Sequence, residues 1–267
     1  MSQVLGDTQR AFDSVALDYD RSNADNATLC AMRQRTLAAV IAHVPAGGRI
    51  LDLGCGPGTD EETLVSAGFS VTAIDWSPAM VEQTRRRVAR DGLDRVEVHH
   101  LGIHEINRLA PETFDAVYSN FGALNCVPNL DDAARLIADR VRSGGLLIAS
   151  VIGRICPWEI AVHALRADWS RIRVRFAKEL VAVPLNGRTV WTKYYTPGEF
   201  ERPFVAAGFH RASLRALGLL VPPPYMDAFV QRHSSWIAAL RWLDDRTGGW
   251  PGLRAAGDHF LIVMRKR

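Results

Sequence analysis

The stretch Arg49 to Trp76, RILDLGCGPGTDEETLVSAGFSVTAIDW, decides the fold. An apolar run, Ile50, Leu51 and Leu53, meets Gly54, Gly56 and Gly58, which lack a Cβ and let the backbone turn tightly against a ligand. Thr59 and Glu62 have the spacing of a capping box, which predicts a helix directly after the last glycine. Ser70 to Ile74 restores the pattern of a buried strand, and Asp75 stands at its carboxyl end. The unit reads strand, glycine loop, helix, strand, acid. Acid and loop are about twenty residues apart, the spacing at which a carboxylate takes a ribose hydroxyl pair in a nucleotide-binding βαβ unit.

Charge narrows the nucleotide. A dinucleotide rests its pyrophosphate on the helix N-terminus, yet the first turn here carries Asp60, Glu61 and Glu62. Three carboxylates repel a diphosphate. S-adenosylmethionine has no phosphate and carries a sulfonium, an ammonium and one carboxylate, so an acid-flanked loop suits it. On Asp52, Gly54, Gly56, Gly58 and Asp75, followed by Trp76-Ser77-Pro78-Ala79-Met80, the stretch resembles the class I S-adenosylmethionine-dependent methyltransferases of small-molecule type. The resemblance covers about Phe12 to Val151 well and the last strands loosely. It implies S-adenosylmethionine as cofactor, S-adenosylhomocysteine as product, and a Rossmann-like, doubly wound α/β sheet. That sheet has seven strands, mostly parallel with an antiparallel last strand, and helical lid insertions.

Length and composition agree with a single methyltransferase domain over residues 1–267, with 48% hydrophobic and 23% charged residues. Its expected parts are an N-terminal helical cap (1–45), a cofactor-binding core (46–153), a lid insertion (154–195) and a C-terminal part with its own helical insertion (196–267). The start, MSQVLGDTQR, has no apolar run for a signal peptide, and the longest apolar stretches are too short to span a bilayer. A cytoplasmic location, no transmembrane segment, and a monomer or homodimer are expected. Cys30, Cys55, Cys126 and Cys156 form no CxxC pair, so reduced thiols and no metal are predicted. The net charge of +3 hides an asymmetry. Residues 1–153 hold 14 Lys and Arg against 20 Asp and Glu, and residues 154–267 hold 18 against 9. The basic half suits either an anionic partner or a solvated arginine-rich surface.

Along the chain, Phe12, Val15, Ala16 and Tyr19 recur at helical spacing. The resemblance brings Tyr19 to the methionine end or the substrate; the competing reading is an apolar face that docks the helix. A helix is expected from Ala27 to His43, and another from Pro78 to Arg90 behind the N-cap Ser77. The resemblance sets Trp76 on the adenine with Met80 on the same side, against a plain core aromatic. Strand Val96 to His100 leads to Gly102 and Ile103, where relatives carry an acid for the adenine and this chain does not; backbone at Gly102 and Ile103, or Glu105, serves instead. Strand Phe114 to Ser119 ends on Asn120 and Phe121, and the family pattern gives Ser119, Asn120 and Phe121 to the methionine ammonium. With Cys55 in the glycine loop, these complete the expected cofactor site. Asn125 is a turn residue or a ligand contact. A helix over Leu130 to Arg142 is stopped by Ser143-Gly144-Gly145, and a fifth strand runs from Leu146 to Val151.

The lid reads as one helical stretch over 158–180 and a short strand, VWTKYY. Thr196-Pro197-Gly198-Glu199 is a capping box before a helix to Ala207, and Phe209 to Leu217 and Asp258 to Met264 read as the last strands, with helix between Met226 and Arg246. Six of the seven tryptophans lie in this half, which suits an apolar or aromatic acceptor pocket or the core of a small lid. Methyl transfer is an in-line displacement that rests on positioning and desolvation. Where a base is needed, His163, Glu159, Tyr194 and Tyr195 are the candidates, and Arg154 is a candidate clamp for a carboxylate. The function expected is methyl transfer to an O, N or C atom of a small apolar, aromatic or carboxylate-bearing metabolite. An RNA or protein methyltransferase and a non-catalytic cofactor-binding subunit are the alternatives. Asn120-Phe121-Gly122-Ala123 lacks the proline-proline-tyrosine string of many RNA enzymes, which disfavours nucleic acid.

Overall fold

The computed structural model describes residues 2–267. Chain order gives α1 (Ser2–Asp13), α2 (Tyr19–Ala24), α3 (Ala27–His43), β1 (Arg49–Leu53), α4 (Glu61–Ser66), β2 (Ser70–Asp75), α5 (Pro78–Asp91), β3 (Val96–His100), β4 (Phe114–Ser119), α6 (Leu130–Arg140) and β5 (Val141–Ile152). Then follow α7 (Pro157–Leu165), α8 (Trp169–Phe176), β6 (Val181–Leu185), β7 (Arg188–Thr192), α9 (Pro197–Ala206), β8 (Phe209–Leu217), α10 (Asp227–Arg232), α11 (Ser234–Thr247) and β9 (His259–Lys266).

The main sheet has seven strands in the order β3-β2-β1-β4-β5-β9-β8. The first five pair in parallel, and β9 runs antiparallel between β5 and β8. The alternation along β1 explains why the sheet is covered on both faces. Ile50 packs with Val71, Ala73, Tyr118 and Ile148 beneath α3 and α4, while Leu51 and Leu53 pack with Val117, Leu147 and Ile262 beneath α6 and α9. Burying each such side chain contributes roughly 1.5–3 kcal/mol. Strand order reverses between β1 and β4, and the crevice beyond their carboxyl ends is where such sheets bind ligands.

Local signals hold in most of the sheet and its helices. Ser77 caps α5 by accepting from Met80 N (3.1 Å), with Pro78 at the first position and Gly92 in the left-handed region at the end. Thr196 and Glu199 form their capping box ahead of α9. Five expectations change. Phe12, Val15, Ala16 and Tyr19 do not share one helix, since α1 ends at Asp13 and turns over residues 14–18 lead into α2. Thr59 does not cap α4; its hydroxyl donates to Asp20 (2.7 Å), and the N-cap is Asp60 without a side-chain cap bond. Ser143, Gly144 and Gly145 lie within β5, where register shifts, instead of stopping a helix. The lid helix breaks at 166–168, where Ala167 takes φ 54°, giving α7 and α8. The lid strand is a two-stranded hairpin, β6 with β7, turned by Asn186 (φ 49°) and Gly187 (φ 71°), the positive-φ pair that a tight hairpin needs. No helix of the described residues is long and apolar enough to cross a membrane.

Candidate active site

A cavity of about 350 Å³ opens at the carboxyl edge of β1, β2 and β4. The glycine loop forms one wall. Gly54 takes φ 76°, and a Cβ there would stand 2.5 Å from Ala123 Cβ, so only glycine lets this loop touch the turn after β4. Gly56 takes φ 58° and has nothing within 4 Å of a Cβ position, which leaves its backbone edge open to a ligand.

Asp75 stands beside that edge. Its Oδ2 accepts from Gly56 N (2.9 Å) and its Oδ1 from Ser77 N (2.8 Å), which fixes the carboxyl and leaves each oxygen a lone pair. Burial pushes its pKa up to about 6, against the pull of the two N–H donors. Trp76 follows at the rim, half-buried. Its carbonyl accepts from Gln9 Nε2 (2.9 Å) and its indole N–H donates to Leu5 O (3.3 Å), so α1 lies across it. His100 stacks on the indole (5.8 Å) and His104 meets its edge (4.9 Å).

The acids of the loop are arranged by distant partners. Asp60 is buried, ion-paired with Arg33, and accepts from Tyr118 Oη (2.6 Å) and Asn120 Nδ2 (3.1 Å). Glu61 is fully buried beside Asp52, and its oxygens have no hydrogen-bond partner among the described residues. Burial first, then Asp60, push Glu61 up to about 8; burial and Glu61 carry Asp52 well above the carboxylate range. Glu62 alone of the three faces solvent. The picture of three carboxylates after the loop that all repel an anion is therefore corrected: one is paired, one is buried with its pKa raised, and one is exposed.

The roof comes from outside the core. Leu5, Thr8 and Phe12 of α1 and Val183, Pro184, Leu185 and Val190 of the hairpin line the cavity opposite the loop. The two elements are fastened together: Trp191 N donates to Thr8 Oγ1 (3.2 Å), Trp191 Nε1 to Asp7 (3.1 Å), and Asn186 Nδ2 to Ser14 O (3.2 Å). Between roof and loop stand Tyr19 and Cys126. Burial raises the Tyr19 phenol and pushes the Cys126 thiol up to about 12, so neither is ionised at neutral pH.

Known proteins share this plan. The methyltransferase-domain family matches residues 50–145. A ubiquinone biosynthesis O-methyltransferase of Aromatoleum aromaticum is 34% identical over 178 residues, which cover 67% of this chain and 70% of that protein. The chain belongs to the class I S-adenosylmethionine-dependent methyltransferases. A demethylmenaquinone methyltransferase of Clavibacter sepedonicus is 36% identical over 155 residues, covering 55% of this chain and 59% of that one. Across the first three curated relatives it matches, the chain spans between 50% and 59% of their lengths. Among solved structures, the Burkholderia thailandensis 1,6-didemethyltoxoflavin-N1-methyltransferase with bound 1,6-didemethyltoxoflavin and S-adenosylhomocysteine superposes with TM-score 0.61 at 18% identity. That match covers 98% of this chain and 88% of the other, and shows the shared fold.

Within this family member, Tyr19, Asp52, Gly54, Cys55, Gly56, Asp75, Trp76, Met80, Gly102, Ile103, Asn120 and Phe121 all line the same cavity. Ser119 does not; it is buried behind the wall, its hydroxyl on Leu53 O (3.1 Å). Glu105 turns away to accept from Gly102 N (3.3 Å) and pair with Arg108. Asn125 is a structural residue: buried, it donates to Ile152 O (3.1 Å) and Lys193 O (2.7 Å) and accepts from Ile152 N (3.0 Å), tying the lid to β5.

The sequence candidates for a base lie outside the cavity lining. Glu159 pairs with Arg175, Tyr194 lies under the same guanidinium (5.1 Å), and His163 faces Asp168 (3.9 Å) rather than Glu159. Tyr195 is packed in the core against Phe200. Arg154 pairs with Glu199 and donates to Tyr194 O (3.0 Å), so it is no clamp for a ligand. Cys156, Glu159 and Asp258 converge as a cation site, and Arg175 fills it: its guanidinium bonds Asp258 (2.5 Å) and Gly153 O (2.8 Å). Arg33 and the first hairpin strand went unread in sequence, and Cys126 was read only as a reduced thiol; the Asn-Gly turn was the signal for the hairpin.

Proposed function

We propose that this chain transfers a methyl group from S-adenosylmethionine to a small, apolar or aromatic acceptor. The observation that carries the reading is one cavity with two unlike ends: a polar loop edge at Gly56 and Asp75, and an apolar roof from α1 and the hairpin. The residues fit the cofactor. Asp75 would take the ribose hydroxyls, Trp76 the adenine face, Gly102 and Ile103 its edge, and the loop backbone with Asn120 and Phe121 the methionine end. The bound cofactor supplies an electrophilic methyl on a sulfonium. What the chain supplies is position, exclusion of water and a fixed field.

Between roof and loop, burial keeps the phenol of Tyr19 and the thiol of Cys126 protonated at neutral pH, so neither serves as a base there. In this reading the methyl transfer draws no base from His163, Glu159 or Tyr194, whose contacts lie within the lid. Relatives named for quinone biosynthesis support an aromatic acceptor. The roof leaves room for a small molecule and supports that class over RNA or protein. The test is incubation with S-adenosylmethionine and a panel of small phenols, aromatic amines and carboxylic acids, read as a mass gain of one CH2. Gain on an apolar aromatic that is lost in Asp75→Ala supports the reading; gain only on RNA or protein overturns it.

A further inference from the structure

The lid carries a surface that the cavity does not use. At the end of α7 Leu165 is 89% exposed, and on α8 Trp169 and Phe176 are 58% and 47% exposed. Trp169, Arg173 and Phe176 stand at i, i+4 and i+7, so they share one face of α8, and Arg175 turns inward. Arg166, Arg173 and Lys178 are exposed on this segment and make no ion pair or side-chain hydrogen bond among the described residues. Two acids lie beside them: Asp168 caps α8 by accepting from Arg171 N (3.2 Å) and also accepts from Ser170 Oγ, and Glu179 is exposed next to Lys178, so exposed Arg166, Arg171, Arg173 and Lys178 still leave the segment net positive. The inner side is anchored: Arg175 is buried and bonded to Asp258 and Gly153 O, so the outer face is presented by a fixed helix.

The geometry points to an anionic lipid surface as the partner of this face: Leu165, Trp169 and Phe176 enter the headgroup boundary while Arg166, Arg173 and Lys178 meet lipid phosphates. Exposed aromatic and aliphatic side chains interleaved with unpaired cations are what an interfacial helix requires. A second copy of the chain fits poorly. It would bring the same cations face to face, and three side chains of at most about 250 Å² each, part-buried already, fall short of the roughly 800 Å² per partner of a stable interface. Nucleic acid uses the cations but leaves Leu165 and Phe176 in water. Only residues 177–180 separate α8 from β6, so contact here sets the cavity's roof beside the lipid phase.

Co-sedimentation tests the proposal, with vesicles of phosphatidylcholine alone or with about 30% phosphatidylglycerol, at roughly 0.05 and 0.15 M salt. The wild-type chain is expected to pellet with anionic vesicles, less so at the higher salt, and to remain in solution with phosphatidylcholine alone. Trp169→Ser with Phe176→Ser, and separately Arg173→Glu with Lys178→Glu, each lower partitioning by about tenfold. Unchanged S-adenosylhomocysteine affinity by calorimetry certifies their fold, and Leu165→Ser replaces any variant that fails this check. Wild-type protein that stays in solution with both vesicles, or variants that bind as wild type does, overturns the proposal. So does binding to a single-stranded oligonucleotide that survives loss of Trp169 and Phe176, or a dimer that their loss abolishes.

Discussion

Asp75, which we propose for the ribose end, has a carboxyl that two backbone N–H groups orient and burial pushes up to about 6. The ionised form is the one that accepts two hydroxyls. Affinity for S-adenosylhomocysteine is therefore expected to be flat above pH 7 and to weaken as pH falls through about 6, a profile that Asp75→Asn removes; titration calorimetry across pH 5–8 measures it. Glu61 gives a stability effect of the opposite kind. Its folded pKa of about 8 lies above the ordinary 4.5, so the folded state holds its proton more tightly; the stability this contributes is full below 4.5 and is lost as pH rises through 8. Glu61→Gln, whose amide can donate to Asp52, should thus stabilise the chain above pH 8 by about 1–3 kcal/mol, read by urea denaturation. The loop and Asp75 were legible in sequence because their geometry is local. The state of Asp60 was not, because Arg33, Tyr118 and Asn120 reach it from 27, 58 and 60 residues away.

At the scale of elements, the lid is held at few points. Asn125 joins β5 to the chain leaving β7 through three buried hydrogen bonds, and Asn125→Ala should cost about 2–4 kcal/mol in urea denaturation, since Ile152 and Lys193 keep unsatisfied groups. Trp191→Phe retains a ring but loses the bond to Asp7, so α1 should exchange its amide hydrogens faster while the sheet does not. The hairpin escaped a reading by apolar runs, because Val181 to Leu185 and Arg188 to Thr192 alternate only weakly around their turn. Asn186-Gly187 was its clear signal. The break at Ala167 had none, since φ 54° is not a conformation that an alanine prefers.

At the scale of the whole molecule, the parallel half of the sheet followed from apolar runs and their caps, and β8 and β9 followed from the same pattern past the lid. Which side chains roof the cavity depended on how insertions fold back, and no local period records that. The three acids after the glycine loop pointed to the right cofactor family, yet Asp60 is held by Arg33 and burial pushes Glu61 up to about 8, so Glu62 alone faces solvent as an open charge. The central claim is that this crevice is built for an adenosine bearing a sulfonium-derived amino acid, with Asp75 on its ribose. Calorimetric titration of S-adenosylhomocysteine and of NADH into the wild-type chain and Asp75→Ala tests it most directly. The account predicts that S-adenosylhomocysteine binds and NADH does not, and that Asp75→Ala weakens the first by roughly 1.5–3 kcal/mol. Tighter binding of NADH, or an affinity that Asp75→Ala leaves unchanged, would contradict it.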